Sequence, residues 1–489
     1  MSTTKEEFAL EPLEPNRQES DQAIEESSDQ EKPSKEATKW YSVDRSMLTS
    51  KATYFFQNAK QACYTPHMMI FLTSIGLDPA KAGMVNGLRY TGYILGPPLW
   101  GLLADRTHAH RRIIFLICVL AIIFNCAQPF VTITYGDKTK NRCPEVKNVS
   151  SLHEVDQMDG DTNTLFYVML FMNIVTVFFD GSTVAFADAG VMQRINTSTK
   201  KHDFGRQRFF GAVGFGSGAL LSSAAIELFP AAKVTCYSAV FIVYFILVSG
   251  LAVSTNLLFK GLEFTNEKER KENQNLRLLL WDTLKQFHVW VFFFTILFVG
   301  TARGLYLSFL FLFLKEELDS SNLIMGFAIA TGSVSSICIF GLSGKIIKLV
   351  GGTLHAMLLG CASWAVRYLF YSYFYNPWTV LPIQLLQGFG FGLFVSAYVQ
   401  HVKLISKPAI WATMYGITNS LFFGCGLIVA NLVGGVGYKN VGGRKLFLSE
   451  AIASSVWCVL LAFYIFLQRF KWKSTSEKDV ILPTGGVVM

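Results

Sequence analysis

Charged residues are scarce in this chain. They make up 16% of its 489 residues, whereas 51% are hydrophobic; an ordinary soluble protein has about 25% charged residues. With a mean hydropathy of +0.35, this composition excludes a soluble enzyme. Two motifs are also missing, the Gly-x-Ser-x-Gly nucleophile turn and the Gly-Lys-Ser/Thr phosphate loop, so hydrolysis and a glycine-loop phosphate site have no support.

Paired cysteines are missing as well. None of the nine cysteines forms a Cys-x-x-Cys motif, and Cys143 alone lies in a long polar loop. This pattern predicts neither a disulfide framework nor a metal site, and we expect no cofactor. We also expect no cleavable signal peptide, because the first apolar segment starts near residue 51, behind an acidic segment.

The apolar residues are gathered into runs of about 18 to 25 residues, long enough to cross a hydrocarbon core of roughly 30 Å. These runs predict an all-α membrane protein with twelve transmembrane helices, spans one to twelve. They cover residues 51–74, 82–103, 113–134, 165–190, 209–228, 234–258, 288–314, 323–344, 353–374, 378–401, 409–433 and 447–468. Because the count is even, both termini lie on one side of the membrane.

The Lys and Arg residues indicate which side this is. Loops on the side of the termini, with the C-terminal tail, carry 22 of them, and the opposite loops carry 10. By the positive-inside rule both termini are cytosolic, so the net charge of +8 reflects topology and not nucleic-acid binding. The sequon at Asn148 then lies outside and that at Asn196 inside, which makes Asn148 the candidate glycosylation site.

The two halves of the chain repeat each other. Gly101-Leu-Leu-Ala-Asp105 ends span two and Gly341-Leu-Ser-Gly-Lys345 ends span eight, and two further matches upstream keep nearly the same offset. Two six-helix pseudo-repeats follow, and transporters built this way bind solute between their halves. The predicted domains are a disordered acidic cytosolic tail 1–49, a six-helix bundle 50–259, a cytosolic linker 260–285, a second bundle 286–469 and a cytosolic tail 470–489.

Three motifs carry a resemblance to a known family. Gly101-Leu-Leu-Ala-Asp105-Arg106, with the basic cluster after it, resembles the signature between helices two and three of the major facilitator superfamily. Gly205-Arg206-Gln207-Arg208 and the stretch from Gln384 to Phe394 resemble its branch typified by major facilitator superfamily domain-containing protein six, which is similar to lactose-permease-like and nucleoside:proton symporters. The resemblance implies alternating access, with Gly101, Asp105, Arg106, Arg206 and Arg208 as gating residues.

Charged side chains inside spans are costly and therefore candidates for function. Besides Lys51 at the interface, they are Lys60, Arg89, Arg303 and Arg367, with the carboxylates Asp180 and Asp188. In the family arrangement spans one, four, seven and ten line the central cavity. Lys60, Asp180, Arg303 and the pair Gln384 and Gln387 lie on these four spans, whereas Arg89 and Arg367 lie outside them as possible supporting charges.

Three functions remain open on this sequence. The first is proton-coupled symport of a sugar- or nucleoside-like solute, with Asp180 titrating as Lys60 or Arg303 approaches and leaves it; a permanent Asp180–Lys60 pair is the structural alternative. The second is organic-anion transport, since cations exceed acids in the spans. The third is a non-transporting receptor or adaptor, suggested by the loop 135–163.

The expected setting is common to these hypotheses. We expect a multi-pass monomer in the plasma membrane, or an endosomal or lysosomal membrane, that binds a small-molecule solute and protons within the lipid bilayer and does not bind nucleic acid. Neither a catalytic residue nor enzyme activity is expected.

Overall fold

The computed structural model describes residues 47–135, 159–196, 204–229, 237–262, 276–407 and 410–480. These residues form helices joined by short turns, with no strand among them. Asn148, nearly all of the predicted N-terminal tail, residues 263–275 of the predicted linker and residues 481–489 lie outside the described residues. The predicted all-α membrane fold is confirmed.

The N-terminal half contains spans one to six. Their helices are Leu48–Tyr64 and Met68–Ser74 in span one, Pro79–Leu88 and Tyr90–Thr107 in span two, His110–Tyr135 in span three, Asp159–Asn196 in span four, Phe204–Leu228 in span five and Ser238–Leu258 in span six.

The C-terminal half contains spans seven to twelve, preceded by a short helix, Leu276–Leu284, inside the predicted linker. Spans seven, eight and nine are Phe287–Glu316, Asn322–Leu349 and Thr353–Tyr373. Span ten comprises Pro377–Thr379, Val380–Gln384, a π-helix Gly388–Leu393 and Phe394–Ile405. Span eleven comprises Trp411–Ser420, a π-helix Leu421–Cys425 and the part of Gly426–Val480 that precedes Gly442. Gly442 has a positive φ of 79° and separates span eleven from span twelve.

Eight of the described helices are long and apolar enough to cross a membrane by themselves. One of them, Thr413–Gln468, contains both spans eleven and twelve. Spans one, two and nine are not among them: the two helices of span one are short, Tyr90–Thr107 of span two carries Asp105 and Arg106 near its end, and span nine carries Arg367, His355 and several tyrosines. Nine of the twelve predicted spans therefore correspond to these eight helices, and spans one, two and nine correspond to the shorter or more polar ones.

The break in span one falls at Pro66, between the helices that end at Tyr64 and begin at Met68. Proline interrupts a helix because it has no N–H to donate and its ring collides with the carbonyl of the preceding turn. The break in span two falls at Arg89, where no proline is present. Pro97 and Pro98 lie further on, inside Tyr90–Thr107, so they do not end that helix.

Glycines let span five pack directly on span one. A Cβ atom at Gly214 would lie 2.2 Å from the carbonyl oxygen of Phe55, and one at Gly218 would lie 2.1 Å from that of Ala59. In the other half, span eleven packs on span seven in the same way, and a Cβ at Gly426 would lie 2.7 Å from the carbonyl carbon of Gly300. These glycines are needed for close helix packing.

The two halves meet through span two against span eleven and span five against span eight. The repeat relates span two to span eight and span five to span eleven, so these two contacts are equivalent within the pseudo-symmetric bundle. A Cβ at Gly83 would lie 2.5 Å from the Asn431 carbonyl oxygen, and one at Gly326 would lie 2.8 Å from the Ser223 Cβ. Side chains larger than glycine would separate the halves at both places.

These contacts close one end of the bundle. We call this end distal: spans one and two are connected there, whereas residues 47 and 480 lie at the proximal end. Asn86 of span two donates hydrogen bonds to Asn431 at 2.6 Å and to Ser308 at 3.0 Å. Toward the proximal end, by contrast, a Cβ at Gly101 or Gly341 would meet nothing within 4 Å.

Candidate functional site

Lys60 of span one and Asp180 of span four form an ion pair inside the N-terminal half. The Lys60 side chain is fully buried, while the Asp180 side chain retains 21% exposure. The Lys60 ammonium also donates to the Thr183 hydroxyl at 2.8 Å. The structure thus joins two of the residues predicted for the site, and it leaves the carboxylate as the accessible member of the pair.

Three side chains, Tyr244, Thr183 and Gln57, lie around the ion pair. The Tyr244 hydroxyl of span six donates to Asp180 Oδ1 at 2.7 Å, and the Thr183 hydroxyl donates to Gln57 Oε1 at 2.8 Å. The sequence reasoning missed these residues. A signal was present for two of them: Gln57 is three residues from Lys60 and Thr183 three from Asp180, a spacing that places each pair on one helix face.

A buried polar network extends from this cluster. The Tyr64 ring packs against that of Tyr244 at 5.7 Å between centroids. The Tyr64 hydroxyl donates to Asn173 Oδ1 at 2.8 Å, and the Gln128 amide donates to the Thr176 hydroxyl at 3.3 Å. The network lies between spans one, three and four, and it was also missed because neutral polar residues in a span carry no charge signal.

Arg303 of span seven is only 6% exposed. Its guanidinium carbon lies over three aromatic rings, 5.2 Å from the centroid of Phe391, 5.8 Å from Phe422 and 5.1 Å from Phe423. These rings belong to the two π-helices, Gly388–Leu393 and Leu421–Cys425, a type of turn that is frequent at functional sites. The chain has 42 phenylalanines, so no sequence signal distinguished these three.

Gln384 and Gln387 of span ten bind Arg367 of span nine. Arg367 Nη2 donates to Gln384 Oε1 at 2.8 Å and to the Tyr371 hydroxyl at 3.0 Å, and Nη1 donates to Gln387 Oε1. The guanidinium also lies 4.4 Å from the Trp364 ring centroid. The predicted solute-site glutamines and a predicted supporting charge are therefore brought together, with the glutamine oxygens directed to Arg367.

Arg89 lies at the break in span two. Its Nη2 donates to the Tyr90 hydroxyl at 3.2 Å, and its guanidinium lies over the rings of Tyr64 and Tyr90 at 5.1 and 5.0 Å. Asp188, the second carboxylate of span four, accepts from the Tyr54 hydroxyl at 2.6 Å. Neither residue joins the Lys60–Asp180 pair by a hydrogen bond in the part of the chain that the structure describes.

The residues predicted for gating lie toward the proximal end. Asp105 accepts from the His110 ring at 3.1 Å, Arg106 is exposed, and His108 adopts a left-handed φ of 52°. The side chains of Arg206 and Arg208 lie outside those that the structure describes.

The profile of the MFS_1 like family matches residues 47–449. The chain belongs to this family. Among curated relatives, major facilitator superfamily domain-containing protein 6-like protein B of Xenopus laevis is 26% identical over 34% of this chain and 27% of its own length. The 6-like protein of Danio rerio is 23% identical over 38% of this chain and 33% of its own length. The matches span about a third of these relatives, and the predicted branch is confirmed.

Solved structures of this MFS_1 like fold include the nucleoside transporter NupG, with a TM-score of 0.63, 17% identity, and coverage of 86% of this chain and 98% of that chain. A bacterial homologue of the human lysosomal transporter Spinster, described as inward-facing and unoccupied, has a TM-score of 0.59, 13% identity, and coverage of 86% and 96%. These similarities establish the major facilitator fold, which is that of membrane transporters.

Proposed function

We propose that this protein is a secondary transporter that moves a polar organic solute by alternating access, in symport with protons. The observation that carries the proposal is the Lys60–Asp180 pair between spans one and four. The Lys60 side chain is fully buried, whereas the Asp180 side chain retains 21% exposure. A proton can therefore reach the carboxylate while the ammonium stays buried.

Protonation of Asp180 would change the charge balance of the N-terminal half. A neutral carboxyl no longer compensates the buried Lys60 ammonium, and an uncompensated charge in a low-dielectric interior is costly. Thr183 and Tyr244 contact the same pair, so any movement that restores compensation also displaces spans four and six. Proton binding and helix movement are coupled in this way.

The contacts between halves support the alternating-access part of the proposal. They close the distal end, and with cytosolic termini this arrangement is an inward-facing state. The return to the outward-facing state requires the Asn86–Asn431 and Gly83–Asn431 contacts to open. Gly101, Asp105 and Arg106, with Arg206 and Arg208, would close the proximal end in that state.

The solute class is proposed to be sugar- or nucleoside-like in size and polarity. The support for this class is NupG, of the same fold, which is a nucleoside transporter by its description. The neutral network of Tyr64, Gln128, Asn173 and Thr176 is hydrogen-bonded within itself and buried in this state, so it would have to open to bind a solute. We further propose a monomer in the plasma membrane or an endosomal or lysosomal membrane, with cytosolic termini and a glycan at Asn148.

Uptake into liposomes tests the proposal. Purified protein is reconstituted and offered a pooled metabolite library with and without an inward proton gradient. We expect at least one polar solute to accumulate with the gradient, and Asp180→Asn to abolish gradient-driven accumulation while solute exchange at equal pH continues. The matched control is Asp319→Asn at an exposed position with φ of 45°, which asparagine tolerates.

Two results would contradict the proposal. If no solute enters liposomes that contain the wild-type protein, the proposed transport activity is refuted. If Asp180→Asn accumulates solute with the same dependence on the gradient as wild type, the proton-coupling role of Asp180 fails and the ion pair is structural.

A further inference from the structure

Three arginines are buried within the spans, and none of them has a carboxylate partner among the residues that the structure describes. Relative exposure is 0% for Arg367, 1% for Arg89 and 6% for Arg303. Asp180, a carboxylate of span four, is already bound to Lys60. The interior of the bundle therefore carries an excess of positive charge, which is costly in a membrane-spanning protein.

Arg303 differs from the other two in its hydrogen bonding. Arg367 donates to two glutamine oxygens and a tyrosine hydroxyl, and Arg89 donates to a tyrosine hydroxyl. No oxygen among the described residues accepts a hydrogen bond from Arg303. The unpaired nitrogens of Arg89 and Arg367 are fully enclosed, whereas those of Arg303 are not among the enclosed atoms.

The aromatic surroundings of Arg303 define what it can bind. The rings of Phe391, Phe422 and Phe423 attract the cation through their faces, but they offer no lone pair to its N–H groups. They also cover part of the guanidinium, and its burial to 6% exposure lowers the local dielectric, which strengthens its attraction to an anion. The planar guanidinium matches carboxylate and phosphate oxygens in a two-pronged hydrogen-bonded geometry.

We infer that Arg303 is the anchor for an anionic group, a carboxylate or a phosphate, on the transported organic solute. The inference rests on the proposed transport function and narrows its substrate class: the solute is a sugar- or nucleoside-like molecule that carries an acid. The apolar body next to the acid packs against the three phenylalanine rings, so Arg303 selects by charge and the rings select by shape.

Thermal unfolding of the purified protein in detergent tests binding separately from transport. The probes are matched pairs that share one body: glucuronate and glucose, glucose 6-phosphate and glucose, adenosine monophosphate and adenosine, benzoate and benzamide. A ligand that binds the folded state raises the melting temperature. We expect at least one acid to raise that of the wild type more than its neutral partner does, and the pairs separate carboxylate from phosphate recognition.

Variants at Arg303 test whether the acid-induced rise in melting temperature depends on this side chain. Arg303→Gln should weaken binding of the acid by about tenfold or more, since a charge-assisted pair is lost, and Arg303→Lys should retain part of it. The matched control is Lys348→Gln, which removes an exposed positive charge at the end of span eight and should leave the shift unchanged. Each variant's melting temperature without ligand reports whether it folds.

Three results would overturn the inference. They are equal stabilisation by the neutral partners, an unchanged acid-induced shift in Arg303→Gln, and no stabilisation of the wild type by any acid of the set. Liposome flux separates this inference from the proposed function. Transport of neutral solutes alone supports transport and refutes the anion anchor, whereas acid binding that depends on Arg303, without flux, supports the anchor and refutes transport.

Discussion

The Asn86 side chain in span two donates a 2.6 Å hydrogen bond to the Asn431 side chain in span eleven, so two buried amides join the halves at the distal end. Asn431 in turn donates to the Leu427 carbonyl at 2.7 Å, which fixes the orientation of its amide. A buried hydrogen bond of this kind contributes about 1 kcal/mol. The contact thus adds measurably to the stability of the closed distal state.

Asn86→Ala should shift the conformational equilibrium toward an open distal end. Loss of about 1 kcal/mol corresponds to a roughly fivefold change in the populations of the two states. The measurement is the distance distribution between spin labels at the exposed positions 84 and 436, on spans two and eleven, which should gain a longer component. Asn163→Ala is the control, because Asn163 accepts from Lys81 within the N-terminal half and is exposed; an identical distribution in Asn86→Ala and wild type would contradict the prediction.

A good part of this fold could be predicted from the sequence because hydropathy is a local property. The length of apolar runs predicts spans, and the spacing of Gly101 and Gly341 predicts the repeat. The break at Arg89 was not predicted, since it depends on packing against other spans, whereas the break at Gly442 falls in the gap predicted between spans eleven and twelve. Helix Leu276–Leu284 was missed because the surrounding segment is polar.

The site was less predictable for a related reason. Charge within a span is visible in the sequence, so Lys60, Asp180 and Arg303 could be selected, but their partners come from other spans. The structure pairs Asp180 with Lys60 and surrounds Arg303 with phenylalanines. Gln384 lies on a span predicted to line the cavity, yet its oxygen accepts from Arg367, a contact that depends on the rotation of span ten.

Lys60→Met should destabilise the protein more than the double variant Lys60→Met with Asp180→Asn. The single change leaves Asp180 without its cation, and breaking a buried pair costs about 3–5 kcal/mol, with the lower end expected because Asp180 retains 21% side-chain exposure. The double variant removes both charges and should recover much of the loss. Melting temperatures in detergent are compared for the wild type, the single variant and the double variant. Equal destabilisation of the single and double variants would show that charge compensation is unimportant here.

Gly218→Ala should lower the stability of the N-terminal half. Its Cβ would lie 2.1 Å from the Ala59 carbonyl oxygen, so spans one and five must separate, at a cost of about 1–3 kcal/mol. Gly341→Ala is the matched control, since a Cβ there meets nothing within 4 Å and alanine favours helix more than glycine. The prediction fails if both variants melt at the wild-type temperature.

Glycosylation tests the predicted topology. If the loop with Asn148 faces outside, protein expressed in cells that glycosylate should migrate faster in a gel after glycosidase treatment. Asn148→Gln should remove this shift and Asn196→Gln should leave it unchanged. A shift that depends on Asn196 would reverse the assigned orientation of the whole bundle.

The π-helices in spans ten and eleven have a consequence for helix register. A π turn holds one residue more than an α turn, so it rotates the helix beyond it by about 100° relative to an uninterrupted α-helix. Span eleven presents Gly426 to Gly300 and Asn431 to Asn86 only after the extra residue of Leu421–Cys425. Deleting one residue from that segment would therefore direct a different face toward both span seven and span two, so a local change beside Arg303 reaches the contact that holds the distal end together.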